Sequence, residues 1–166
     1  MRFLYLFDVY VHLLSAVILV GGGLFHLMFI GPILRGPDYQ SVAGKIGAFV
    51  AKRWMIVRWH CLTLLTVTGF LALWYRGISP LDLFRGATYS NSYAHIAVTK
   101  IVVVILAVAL NAFIDFSLAK EMRRLMSEGR MEEAKTYGAR IQAVVRVIVV
   151  VGLILVMLGL LLTRGV

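Results

Sequence analysis

Long apolar runs alternate with short polar stretches along this chain, and that rhythm predicts its elements. The first run spans about residues 7–34 and stops near Gly31-Pro32 and Gly36-Pro37, where proline withholds a backbone N–H. Between Tyr39 and Lys52, the apolar positions Val42, Ile46, Phe49 and Val50 recur at helical spacing with Lys45 and Lys52 between them. That pattern predicts a short helix lying on a membrane surface. A second apolar run covers about 53–74, followed by a Gly-, Pro- and Ser-containing loop from Arg76 to Asn91. A third covers about 92–118 and continues as the polar helix AKEMRRLM. After a turn at SEGR, the chain returns through MEEAKTYGARIQAVVR into a fourth run at about 144–162. Each run matches the roughly 20 residues that cross a bilayer. The fold class is therefore an all-α integral membrane protein, an up-down four-helix transmembrane bundle in one domain, with a helical extension between spans three and four.

Composition agrees. The 166 residues are 61% hydrophobic, with a mean hydropathy of +0.89. The first run lacks the short core and small-residue cleavage site of a signal peptide, so it reads as a retained span. The net charge of +9 is concentrated in two connections, as topology and anionic lipid headgroups require, and nothing in its pattern points to nucleic acid. One connection carries Arg35, Lys45, Lys52, Arg53 and Arg58, the other Lys120, Arg123, Arg124, Arg130, Lys135, Arg140 and Arg146. The opposite side has Arg2, Arg76, Arg85 and Arg164. By the positive-inside rule the first and third connections are cytoplasmic and both termini lie outside the cell (inner) membrane. A single cysteine, Cys61, excludes an intrachain disulfide and a cysteine-based zinc site. Trp54, Trp59, Trp74 and Tyr75 are expected as anchors at the membrane edges.

Four histidines, all inside the spans, supply the candidate chemistry. His12 and His26 are fourteen residues apart in the first span, almost four helical turns or about 21 Å on one face. Ser15, Ala16, Leu19, Gly22 and Gly23 lie between them, a largely small-residue face that admits a neighbouring helix or a flat cofactor. The inferred topology sorts the histidines into an outer couple, His12 with His95, and an inner couple, His26 with His60. Neutral imidazole is a common axial ligand of haem iron, and two ligands per iron suit electron transfer. The expectation is a membrane cytochrome carrying two b-type haems per chain, with Arg53 and Arg58 at the inner edge and Lys100 at the outer edge as cations for haem propionates. Its partners are lipid and quinone or a redox protein, with oligomerisation open. A histidine within a span can also serve only as a helix-to-helix hydrogen bond, and Lys100 is as readily a snorkelling lysine as a functional one. Asn111 reads as a packing hydrogen bond and Asp115 as solvated or paired with an arginine. Met28 and Cys61, near His26 and His60, read as apolar filler or as soft copper ligands.

The segments HLLSAVILVGG, RWHCLTLLTVTGFLALW and YAHIAVTKIVVVILAVALNAF resemble the CopD-type membrane domain. Leu19 stands where that family usually has tryptophan, while Tyr93 and Lys100 match a typical tyrosine and lysine. The resemblance covers about three spans and implies a four-helix core linked to copper resistance or import. His12 and Lys100 are also similar to the haem-ligating histidine and required lysine of HemJ-type protoporphyrinogen oxidases. That likeness implies a one-haem enzyme. Three functions thus stand beside each other: dihaem cytochrome, copper transport and porphyrinogen oxidation. Whether the chain is itself an enzyme or the cytochrome b subunit of one stays open.

Overall fold

The computed structural model describes residues 2–36, 40–77 and 92–163. They form helices throughout, and no strand occurs among them. The first span is α1 (Arg2–Phe25), a π-helical turn (His26–Ile30) and α2 (Gly31–Arg35). The wide turn explains how the helix passes Pro32. Gly31 N–H reaches back five residues to His26 O, which opens the spiral just where the proline ring would crowd it. The predicted stop at Gly31-Pro32 is therefore a distortion, and the helix ends at Gly36, whose N–H caps Pro32 O and Ile33 O.

The second span belongs to α3 (Gln40–Tyr75), 36 residues without a break. The segment expected as a separate surface helix is its first third, because no proline or capping residue interrupts the run through Lys52-Arg53. At 1.5 Å per residue α3 is about 54 Å long, well beyond the ~30 Å hydrocarbon core. The third span is α4 (Ser92–Phe113) followed by a second π turn (Ile114–Leu118), which leads into the polar α5 (Ala119–Ser127). Gly129, at φ +75°, makes the turn into α6 (Met131–Thr163), which runs straight on as the fourth span. Four stretches, Phe3–Ile33, Gly44–Tyr75, His95–Ser127 and Met131–Leu161, are long and apolar enough to cross a membrane. The helical extension between spans three and four is a hairpin of α5 against the start of α6, closed by Leu125 and Ala134, both buried.

α1 packs along α3 and α6, and α4 packs along α6. The closest approaches fall at glycines. A Cβ added at Gly22 would lie inside the Trp54 ring, one at Gly23 would lie 2.9 Å from Val149 Cγ2, and one at Gly152 would lie 3.0 Å from Val20 Cγ2. The small-residue seams thus serve helix packing. Between α3 and α4 the space is filled by side chains instead. Leu73 and Ala97 form an apolar cluster with Val98 and Ile101, and Arg58 reaches Asp115. Large apolar side chains such as Leu13, Val17, Ile105, Phe116 and Met157 are exposed, giving the outer surface the character of a lipid contact.

Candidate functional site

A helix that is apolar all round can hide few polar groups, so those it does bury mark its special positions. Among the described residues five polar ones are buried: Asp8, Ser15, Arg58, Thr68 and Asn111. They lie on the inward faces of α1, α3 and α4. Asp8, His12 and Ser15 follow one another at the i, i+4, i+7 spacing that keeps one side of α1.

His12 is half-buried and meets α3. Its Nδ1 is 2.7 Å from Thr68 Oγ1, and the Thr68 hydroxyl donates to Leu64 O at 2.6 Å. Since that hydroxyl proton is already committed, Thr68 Oγ1 accepts from His12 Nδ1–H. The Nε2 of His12 is then the nitrogen with the free lone pair. A Cβ at Gly69 would lie 3.7 Å from His12 Cε1, so glycine there gives the ring room. The Lys100 ammonium of α4 is near enough for its charge to act on His12, and its Nζ lies 3.7 Å from where a Cβ at Gly159 would stand. The antiparallel contacts Val20–Gly152 and Gly23–Val149, continued along the helices, set His12 level with Leu160. That is one residue from the Gly159 position where Lys100 ends. All four spans therefore contribute to one polar cluster: His12, Thr68 with Gly69, Lys100 and Gly159.

The other histidines take different settings. His95 is exposed and lies five residues, about 7.5 Å, farther along α4 than Lys100, away from the hairpin end. Lys100, rather than His95, is level with His12. His26 opens the π turn of the first span, half-buried, with the Arg58 guanidinium near enough to act on it. His60 is on the exposed face of α3, where its Nδ1 donates to Ile56 O at 2.8 Å within its own helix. By the α1–α3 contacts, His60 is displaced from His26 by about two turns, ~11 Å along the axis. Arg53 is exposed, its guanidinium over the Phe49 ring at 5.5 Å.

Arg58 has a partner of its own. Its Nη2 donates to both carboxylate oxygens of Asp115, at 2.5 and 2.7 Å, and Trp59 Nε1 donates to Asp115 Oδ2 at 2.8 Å. Both charged side chains are only 9% exposed. A groove of 510 Å³ beside this pair is lined by Met55, Trp59, Asp115, Phe116 and Arg123. Trp54 and Trp59, expected at the membrane edge, are thus drawn into helix contacts, and Trp74 is the exposed one at 73%. Cys61 is buried whereas Met28 is exposed, so these two soft donors face different surroundings. Among the described residues no three side chains from His, Cys, Asp and Glu gather as a metal cage.

Whether a porphyrin fits can be judged from these surroundings. The face of α1 at Gly22 and Gly23 is occupied by Trp54 and Val149, which leaves no room there for a flat ring. At His12 the donor chemistry fits a single imidazole ligand: Nδ1 is anchored on Thr68, Nε2 would be the nitrogen to hold an iron, and the Lys100 charge is near enough to act on the ring.

Sequence reading passed over two members of this region. Thr68 is an ordinary residue in a span until its partner is known. Asp8 did carry a signal, an acidic residue inside an apolar run one helical turn before His12. Its side chain is buried, and Oδ2 has no hydrogen-bond partner among the described residues. Neither a family model, nor a curated protein, nor a solved structure matches this chain. Fold and site together define a class, the four-span all-α membrane protein with an intramembrane His–Thr–Lys cluster.

Proposed function

We propose that this chain is a haem-binding membrane protein of the b type that passes electrons through the bilayer, with His12 as iron ligand. The observation that carries the reading is the setting of His12: Nδ1 bonds Thr68, whose own hydroxyl donates to Leu64 O, which leaves Nε2 as the nitrogen for a ligand bond, and the Lys100 charge is near enough to act on the ring. A bound haem would supply one-electron chemistry there. The chain's own residues do the rest. Thr68 holds the imidazole in one tautomer and orientation, as partners of ligating histidines commonly do. Lys100 offers a cation to a carboxylate such as a propionate. Ala107, Leu62 and Val149, all buried, keep water from the far side.

One haem per chain is the count this placement favours over two, since His26 and His60 sit at different levels and in different surroundings. Copper transport is less favoured because the candidate soft donors are scattered. The distribution of Lys and Arg supports a cytoplasmic hairpin with both termini outside the inner membrane. Quinone or a redox protein is the expected electron partner. A second reading, HemJ-like oxidation of a porphyrinogen, is favoured by the neighbourhood of Lys100 and His12.

Haem content of the purified protein tests the proposal. The pyridine haemochrome should report about one haem per chain, as single-site ligation requires. His12→Ala should lose it and His60→Ala should keep it. A colourless wild type, or a His12→Ala variant that keeps its full haem, refutes the assignment. Lys100→Gln separates the two readings: retained haem with lost porphyrinogen turnover identifies the oxidase.

A further inference from the structure

We propose that a water-filled inlet enters the bundle at the end away from the hairpin, passes Asp8 and gives protons access to the His12–Lys100 cluster, closing before it crosses the membrane. The argument starts from Asp8. Its side chain is 6% exposed, yet Oδ2 meets no donor among the described residues. An unsatisfied carboxyl group in an apolar surround is costly. Buried polar groups of this kind are ordinarily satisfied by internal water.

The position of that water follows from the helix faces. Asp8, His12 and Ser15 climb one face of α1 by successive turns, each step about 5–6 Å, within reach of one bridging molecule. The surrounding elements bring the groups needed to carry a proton and few that would block it. On α1 these are Tyr5 and His12. On α3 they are Tyr75, edge-on to the Tyr5 ring at 5.8 Å, and the buried Thr68. On α4 they are Lys100 and the exposed His95. On α6 no titratable residue lies among the described residues of this end, and Gly159 leaves Lys100 room. Leu73 and Ala97 pack together at about the level of Asp8, with Val98 and Ile101 against them, so the α3–α4 side of the inlet is apolar.

Below Ser15 the polar ladder stops. The next buried polar groups toward the hairpin are Arg58, whose backbone is about level with Val20 of α1 and whose guanidinium is turned away to Asp115, and Asn111, level with Leu24 when the α4–α6 and α6–α1 contacts are followed. That leaves about 13 Å of helix between Ser15 and Asn111, occupied by Leu62, Ala107 and Val149. Such an apolar stretch separates the inlet from the Arg58–Asp115 pair at the other end. Protons reach the cluster from one face of the membrane and do not leak through. The inference depends on the placement of Asp8, His12 and Lys100, and it holds with or without a haem at His12.

Cysteine accessibility tests it. Cys61 is the only cysteine, so Cys61→Ala gives a cysteine-free background in one change. In that background, Ser15→Cys and Thr68→Cys probe the inlet floor, Ala107→Cys the apolar stretch and Leu14→Cys the lipid-facing side of the same turn of α1. The probe is aminoethyl methanethiosulfonate, applied to the full chain in liposomes. It reacts with the thiolate, which forms only where water reaches. Ser15→Cys or Thr68→Cys should be modified about tenfold faster than Leu14→Cys and Ala107→Cys, as the preference for a hydrated thiolate demands. Adding Asp8→Leu should slow that reaction. Equal rates at all four positions, or faster reaction at Ala107→Cys, overturn the proposal.

Discussion

Removing the carboxylate of Asp115 should be the most damaging single change at the hairpin end of the bundle. That side chain accepts two bonds from Arg58 and one from Trp59, and both members of the ion pair are 9% exposed. In Asp115→Ala the Arg58 guanidinium stays in place without its counter-charge. Its Nε is already without a partner, so no spare acceptor in the described residues takes over. Stranding one member of a buried pair costs about 3–5 kcal/mol. The lost indole hydrogen bond adds to this by about 1 kcal/mol or less, since the two share one acceptor. For a chain of this size a loss of that order lowers the melting temperature by about 10 °C. The assay is thermal unfolding in detergent, followed by helical circular dichroism and by the emission of the three tryptophans, of which Trp59 bonds Asp115. The paired replacement Arg58→Met with Asp115→Leu fills the same space without charge and should recover most of the loss, ending within about 2 kcal/mol of wild type. A cost below about 1 kcal/mol for Asp115→Ala would place the pair with water-screened surface bridges and refute the reasoning. So would a double variant no more stable than the single one.

The remaining predictions concern a glycine pair and the histidine anchor. Gly22→Ala should destabilise by about 1–3 kcal/mol, because its methyl group falls inside the Trp54 ring and overpacking costs that much. Gly21→Ala, with nothing within 4 Å, should be neutral or stabilising by up to about 1 kcal/mol through backbone entropy. Parallel melts of the two variants check this, and equal effects would show that the Trp54 contact does not set the helix approach. Thr68→Val removes the acceptor that fixes His12 as the Nδ1–H tautomer. Nitrogen NMR of haem-free protein should therefore show His12 leaving that tautomer in Thr68→Val and keeping it in Thr68→Ser.

The spans were legible because a run of twenty apolar residues has few other fates. The hairpin was legible for the same kind of reason, a polar helical pattern joined to a span with no breaker between them. Contacts across helices were not, since they depend on register and rotation, which hydropathy does not encode. His12 and Lys100 are both legible as outer-end candidates, but nothing in the chain marks Thr68 as the residue that holds the imidazole. Trp54 and Trp59 have the composition of edge anchors; a glycine hole opposite one and a carboxylate opposite the other drew them inward. The segment 40–52 carries a surface-helix pattern, and only the absence of a breaker at Lys52-Arg53 hinted that it joins the second span. Asp8 could have been singled out by its four-residue offset from His12.

The two π turns, His26–Ile30 in the first span and Ile114–Leu118 in the third, sit at about the same height when the helix contacts are followed. Each stores one residue more than a regular spiral of that length would hold. Excising a single residue from 114–118 would let the third span wind without interruption. Everything beyond it would keep its bearing about the axis, with Leu125 still facing the first turn of α6, whereas the same excision from the regular part of α4 would swing it by about 100°. The spare residue therefore makes the third span tolerant of a one-residue loss at this height, with the depth of Lys100 and the bearing of the arm both kept.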